Sequence, residues 1–271
     1  MSFEEGKLTA TAQAPRCGAP AAESLRDSLP TTPQSRPPRV MLQIQVQARY
    51  AARDNTLGSM ALGSHNEVAL TIEEVRKHAR ILVIDDHVFP AEKTFTRDGY
   101  HVERWPYIKN LSQLTDGHYQ LILLDVQGVG MAESPDKQGL GILEHIKKTN
   151  PAQAVILYSS DTYSVSSSRY IILADAFLDK SSTYVEYKDE VDRLLLTQSS
   201  PGYFISRMNQ QLGTSAAMAP KAVRYANAAF RSGNTARLER YLRSRLPDAT
   251  QVDTALRVVT VGISIIALFL K

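Results

Sequence analysis

Two four-residue apolar runs, each ending in carboxylate, constrain this chain more than any other feature. Ile81-Leu82-Val83-Ile84 leads directly into Asp85-Asp86, and Leu121-Ile122-Leu123-Leu124 leads directly into Asp125. Runs of this length bounded by polar residues read as strands buried on both faces, the pattern of a parallel sheet. In an open parallel sheet the working crevice lies beyond the carboxyl ends of the strands. Two strands are therefore predicted to bring three carboxylates to one crevice. Like charges gathered so closely are costly unless a cation neutralises them. A hard divalent cation with oxygen ligands, Mg²⁺ first, suits that role.

The surrounding segments supply the rest of such a sheet. Thr71-Ile72-Glu73-Glu74 matches a capping box and starts a short helix to about His78. Pro90 to Arg97 suits a helix, closed by the turn pair Asp98-Gly99, and Tyr100 to Trp105 alternates as a strand. A short helix over Asn110 to Thr115 precedes the strand Tyr119 to Asp125. After a glycine-containing loop, Leu140, Ile142, Leu143 and Ile146 form a helical stripe. Ala154 to Tyr158 is a fourth strand, Tyr170 to Ala174 helical, Phe177-Leu178 a fifth strand, and Val185 to Leu196 an amphipathic helix. Alternating strands and helices predict a doubly wound α/β domain, with a five-stranded parallel sheet, over residues 79–197.

Before this domain, residues 1–45 are rich in Pro, Ala and Ser and read as a disordered arm. Residues 46–78 form an ambiguous lead-in ending in the short helix. Cys17 is the sole cysteine, which excludes an intrachain disulfide and a cysteine-based zinc site. No apolar leader opens the chain, so a reducing, cytoplasmic setting is expected. The overall charge of +3 implies no nucleic-acid partner by itself.

Residues 203–271 read as helical, with breaks at Gly213, Pro220, Ser232-Gly233 and Pro247. They hold ten cationic against three acidic residues and end in the charge-free run Val258 to Leu270. A buried helix of a basic C-terminal module is the first account of that run. A membrane-associated tail over 255–271 is the second, favoured by the basic residues upstream. Nucleic-acid binding is the third, and no helix-turn-helix pattern supports it.

The stretch 79–197 resembles the receiver domain of two-component response regulators, a flavodoxin-like fold. Asp85-Asp86 stands at the family's acidic pair, and Asp125 falls on its phospho-acceptor aspartate. Ser159 follows the fourth strand where the family carries Ser or Thr, with Ser160 the alternative hydroxyl. Lys180 follows the fifth strand at the family's lysine, and Phe177 falls on its switch aromatic position. The resemblance implies a phosphorelay role: phosphoryl acceptance on Asp125 from a histidine kinase or phosphotransfer protein, with slow release. It implies Mg²⁺ held by Asp86, Asp125 and the Gln127 carbonyl, with Asp85 acting through water, and allows a homodimer through this domain. Catalysis extends at most to self-phosphorylation and slow acyl-phosphate hydrolysis. The chain departs from the family in its shorter first helix. It also has Val126-Gln127-Gly128-Val129 after the acceptor, a longer loop to Gly139, and Ser181 after Lys180. A pseudo-receiver, folded but never phosphorylated, is the competing account. For the aspartates taken singly it is helix capping, for Phe177 plain core. His87, His101, His118 and His145 show no ligand spacing, and Trp105 reads as packing.

Overall fold

The computed structural model describes residues 70–161, 169–213 and 219–271. The arm 1–45, Cys17 and most of the lead-in lie outside the described residues. Helix α1 (Ile72–His78) begins with the capping box: Glu74 N–H donates to the Thr71 hydroxyl, and the Thr71 N–H donates to Glu74. The chain then alternates through β1 (Arg80–Ile84), α2 (Glu92–Arg97), β2 (His101–Trp105), β3 (Leu121–Asp125), α3 (Gly139–Thr149), β4 (Ala154–Ser159), β5 (Ala176–Asp179) and α4 (Tyr184–Gln198).

Among the described residues all strand pairings are parallel, in the order β2-β1-β3-β4-β5. This is the five-stranded doubly wound sheet expected from the sequence. Its registers place Ile84 beside Leu124 and Asp125 beside Tyr158, so the strand ends bearing carboxylate lie next to each other. Side chains alternate between faces. Ile81, Val83, Leu121, Leu123, Ile156 and Tyr158 enter one core, and Leu82, Ile84, Ile122, Leu124, Val155 and Leu157 the other.

Two short helices are tighter than the sequence suggests. Residues 110–115 reduce to a 3₁₀ turn at Ser112–Leu114, begun where the Asn110 side chain accepts the Ser112 N–H. Residues 170–174 reduce to a 3₁₀ turn at Arg169–Ile172. That turn cannot continue because the Asp175 N–H is committed to the Val155 carbonyl of β4.

Four helices follow: α5 (Pro201–Leu212), α6 (Ala219–Ser232), α7 (Ala236–Arg243) and α8 (Ala249–Phe269). Gly213, Gly233 and Pro247 fall between helices as the sequence predicts, whereas Pro220, expected as a break, is the second residue of α6, a first-turn position that proline tolerates. Helix α8 starts well before the charge-free run, because Asp248 caps it by accepting from the Thr250 and Gln251 N–H groups. It is long and apolar enough to cross a membrane by length and composition. Its buried face is nonetheless already occupied: Val252, Ala255, Val258, Val259, Val261, Gly262, Ile265 and Phe269 are covered, with α5, α1 and α4 among the elements packed against it. The opposite side of the helix, with Thr260, Ser264 and Ala267, is exposed.

At Gly262 the helices α8 and α5 meet closely: a β-carbon there would lie 2.4 Å from Phe204 Cγ. Gly262→Val is therefore expected to destabilise the fold by about 1–3 kcal/mol through overpacking. Thermal unfolding followed by circular dichroism checks this. An unchanged melting temperature would mean that α8 does not pack on α5 in solution.

Candidate functional site

The crevice is built from the loops that leave β1, β3, β4 and β5. Asp85 and Asp125 are almost wholly buried, while Asp86 and Lys180 reach toward solvent. Lys180 Nζ lies 2.6 Å from Asp125 Oδ2 and 3.2 Å from Asp85 Oδ2, so the aspartate at the end of β3, the acidic residue after β1 and the lysine after β5 do meet. The Lys180 backbone N–H also donates to the Ser159 carbonyl, which fixes where its side chain departs.

The two Asp125 oxygens differ. Oδ1 accepts the N–H of its neighbour Val126 at 2.7 Å, and more weakly that of Gln127 at 3.4 Å. Oδ2 faces Lys180. Burial is the largest influence on Asp125 and raises its pKa; Lys180 pulls it down without prevailing, and Asp85 adds to the rise. Burial works against the charge of Lys180, yet the two carboxylates outweigh it and its pKa rises. The directions agree with one picture, in which a single ammonium is shared by two carboxylates.

The remaining sequence-predicted residues take varied positions. The Ser159 hydroxyl, buried at the end of β4, accepts from the Asp161 N–H at 3.1 Å. Phe177 is partly buried against the second core. Gln127 is exposed in the loop after β3. Gly128 has φ +81°, and a β-carbon there would lie 2.5 Å from Asp86 Oδ2. The missing side chain makes the cradle that lets the Asp86 carboxylate lie against the loop carrying Val126 and Gln127.

Three participants were not foreseen. Tyr158, read as a strand residue only, donates its hydroxyl to Asp85 Oδ2 at 2.7 Å, and Lys180 Nζ lies 5.4 Å from its ring centroid. Burial first, then Asp85, raises the pKa of this phenol, so it remains a donor. Its signal in the sequence is its register: one residue before Ser159, it lies opposite Asp125. Arg104 pins the loop after β1 by donating to the carbonyls of Asp85 at 3.3 Å and His87 at 3.1 Å. His87, expected to have no ligand role, has Nδ1 only 2.8 Å from Asp86 Oδ1. Asp85, Asp86 and His87 form a group able to hold a metal ion, each offering a donor atom, all within 4.8 Å of one another. Trp105 packs as expected, buried and donating to Glu103 at 2.7 Å.

No protein-family model matches the chain, and no curated protein matches it. Among solved structures it is similar to a response regulator receiver domain protein (CheY-like) from Methanospirillum hungatei JF-1, at 23% identity and TM-score 0.37, over 43% of this chain and 93% of that one. It is similar to the response regulator protein TrrA from Thermotoga maritima, solved in complex with Mg²⁺ and BeF, at 25% identity and TM-score 0.35, over 43% of this chain and 98% of that one. A third is NtrX from Brucella abortus in complex with ATP, at 23% identity and TM-score 0.38, over 56% of this chain and 35% of that one. These are proteins of the family that the sequence resembles. The fold stands independently on the parallel pairings and strand order given above.

Proposed function

We propose that residues 79–197 accept a phosphoryl group on Asp125 and pass the resulting change to the C-terminal helices. The observation that carries this is the charge balance of the crevice. Asp85 and Asp125 share the single ammonium of Lys180 and Asp86 stands beside Asp85, so three carboxylates against one ammonium leave two negative charges for a divalent cation to neutralise. Asp86, Asp125 and the Gln127 carbonyl would hold Mg²⁺, with Asp85 through water, and the bound ion would neutralise charge on the transferred oxygens.

The residues divide the remaining work. A carboxylate oxygen of Asp125 attacks the phosphorus of a phosphohistidine on a histidine kinase or phosphotransfer protein. The O–P bond forms as the P–N bond breaks, and the imidazole leaves. Lys180 supports the transferred phosphoryl oxygens, and Tyr158 keeps Asp85 oriented through its Oδ2. The Ser159 hydroxyl leaves the Asp161 N–H for a phosphoryl oxygen, drawing in the loop after β4 and letting Phe177 turn inward. Helix α4, which follows Lys180 closely and packs on α1 and α5, carries the change to the C-terminal helices. Water then hydrolyses the acyl phosphate, returning the carboxylate and inorganic phosphate. Val88, Tyr107, Met131 and Val185, exposed on segments following β1, β2, β3 and β5, would give the donor protein an apolar rim to sit on.

Incubation with phosphoramidate and Mg²⁺ should label the wild-type chain and not Asp125→Asn, read by phosphate-affinity electrophoresis. Equal labelling of both would end the proposal and leave the non-phosphorylated interaction module. That second account draws on the basic C-terminal helices for its output.

A further inference from the structure

The loop after β1 offers more than carboxylate. His87 is exposed, yet its Nδ1 turns back to Asp86 Oδ1 at 2.8 Å and stands 3.9 Å from Asp85 Oδ1. Two donors each about 2.1 Å from one ion, at adjacent corners of an octahedron, are separated by about 3.0 Å. The Asp86–His87 pair already has nearly that spacing. The main chain that carries the imidazole is fixed beside it: the His87 N–H donates to Asp85 Oδ1 at 2.8 Å, and Arg104 donates to the His87 carbonyl. Gly128 leaves Asp86 room at the loop after β3.

We infer that His87 is a ligand of the cation bound at this crevice, and that its nitrogen makes the site select a transition-metal ion such as Mn²⁺, Co²⁺ or Ni²⁺ over Mg²⁺. The inference rests on the proposed cation-binding role of Asp85 and Asp86. The physical basis is donor chemistry. Mg²⁺ takes oxygen and keeps its waters, whereas imidazole suits the later first-row ions, with affinity rising from Mn²⁺ to Ni²⁺. An oxygen-only site shares that rise only in part, so the added discrimination belongs to one side chain.

Titration calorimetry of the untagged full chain with MgCl₂, MnCl₂ and NiCl₂ provides the first measurement. Loss of a neighbour that merely supports a ligand costs about 10–100-fold in affinity, so His87→Ala should weaken Ni²⁺ by at least about 10-fold. Its Mg²⁺ affinity should move less than about twofold, since Mg²⁺ makes little use of the nitrogen. Electron spin-echo spectroscopy of the Mn²⁺-loaded chain supplies the second: ¹⁴N coupling in wild type, absent from His87→Ala. Mg²⁺ binding without ¹⁴N coupling in wild type, or equal weakening of all three ions by His87→Ala, overturns the inference alone. Failure of wild type to bind any of the three overturns it together with the cation-binding proposal.

Discussion

Gly139→Ala is expected to slow phosphoryl acceptance roughly 10²-fold while leaving every residue of the acid pocket in the chain. Gly139 is the first residue of α3, and a β-carbon there would lie 2.0 Å from the Asp125 carbonyl oxygen and 3.1 Å from Val126 Cα. Both are backbone atoms, one at the end of β3 and one in the residue that follows it, so no side-chain rotation relieves the overlap. Either α3 withdraws or the end of β3 bends, and Asp125 moves with it. A displacement on the order of 1 Å at a reacting group costs roughly 10²-fold in rate. Overpacking of a core contact adds a stability loss of about 1–3 kcal/mol. The rate of labelling by phosphoramidate and the melting temperature should therefore fall together. A labelling rate in Gly139→Ala equal to wild type would show that Asp125 does not depend on this contact.

Asp175→Ala is expected to lower the stability of the whole described fold by about 3–5 kcal/mol, the usual cost of leaving a buried ionic partner uncompensated. Asp175 is nearly inaccessible and joins three elements. It pairs with Lys147 of α3 and with Arg207 of α5, and its Oδ2 accepts the Val155 N–H of β4 at 2.9 Å. Lys147 is itself buried, so removal of the carboxylate strands an ammonium beneath the sheet. For a chain of this size the loss corresponds to a fall of roughly 6–20 °C in melting temperature. Burial pushes the Asp175 pKa up, but Lys147 and Arg207 outweigh it and the net shift is downward. A depressed carboxyl pKa contributes stability above its unfolded value and loses it as pH falls through the folded one. The gap between wild type and Asp175→Asn should therefore be full at neutral pH and close on acidification below the ordinary carboxylate range. A gap that is constant with pH would show that the carboxylate charge is not what holds the three elements.

The acid pocket was largely readable before any coordinates. Asp85, Asp125 and Lys180 each end a run whose period and length identify a strand, and parallel strands present their carboxyl ends on one edge. Three of the breaks between the last helices were readable for a similar reason: Gly213, Gly233 and Pro247 act locally, on their own φ and N–H. What escaped was non-local. Tyr158 looks like any other member of an apolar run, and only pairing with β3 sets it beside Asp125 and within reach of Asp85. His87 has no ligand at helical or strand spacing, because its partner is the adjacent Asp86 across a bend. Gly128 and Gly139 read as loop residues, and their close approaches exist only against strands and side chains from elsewhere.

Order along the chain, the period of apolar residues and the chemistry of the strand ends were thus set by local sequence: an α/β sheet with acid at its rim and a helical tail. Which side of α8 is covered, which glycine touches the acceptor strand, and which phenol and imidazole join the aspartates follow from packing between segments tens of residues apart. Strand and helix periods report which face of an element is buried, but not what buries it. That second fact comes from the mutual fit of whole elements, and here it placed Phe204 over Gly262 and Asp125 under Gly139.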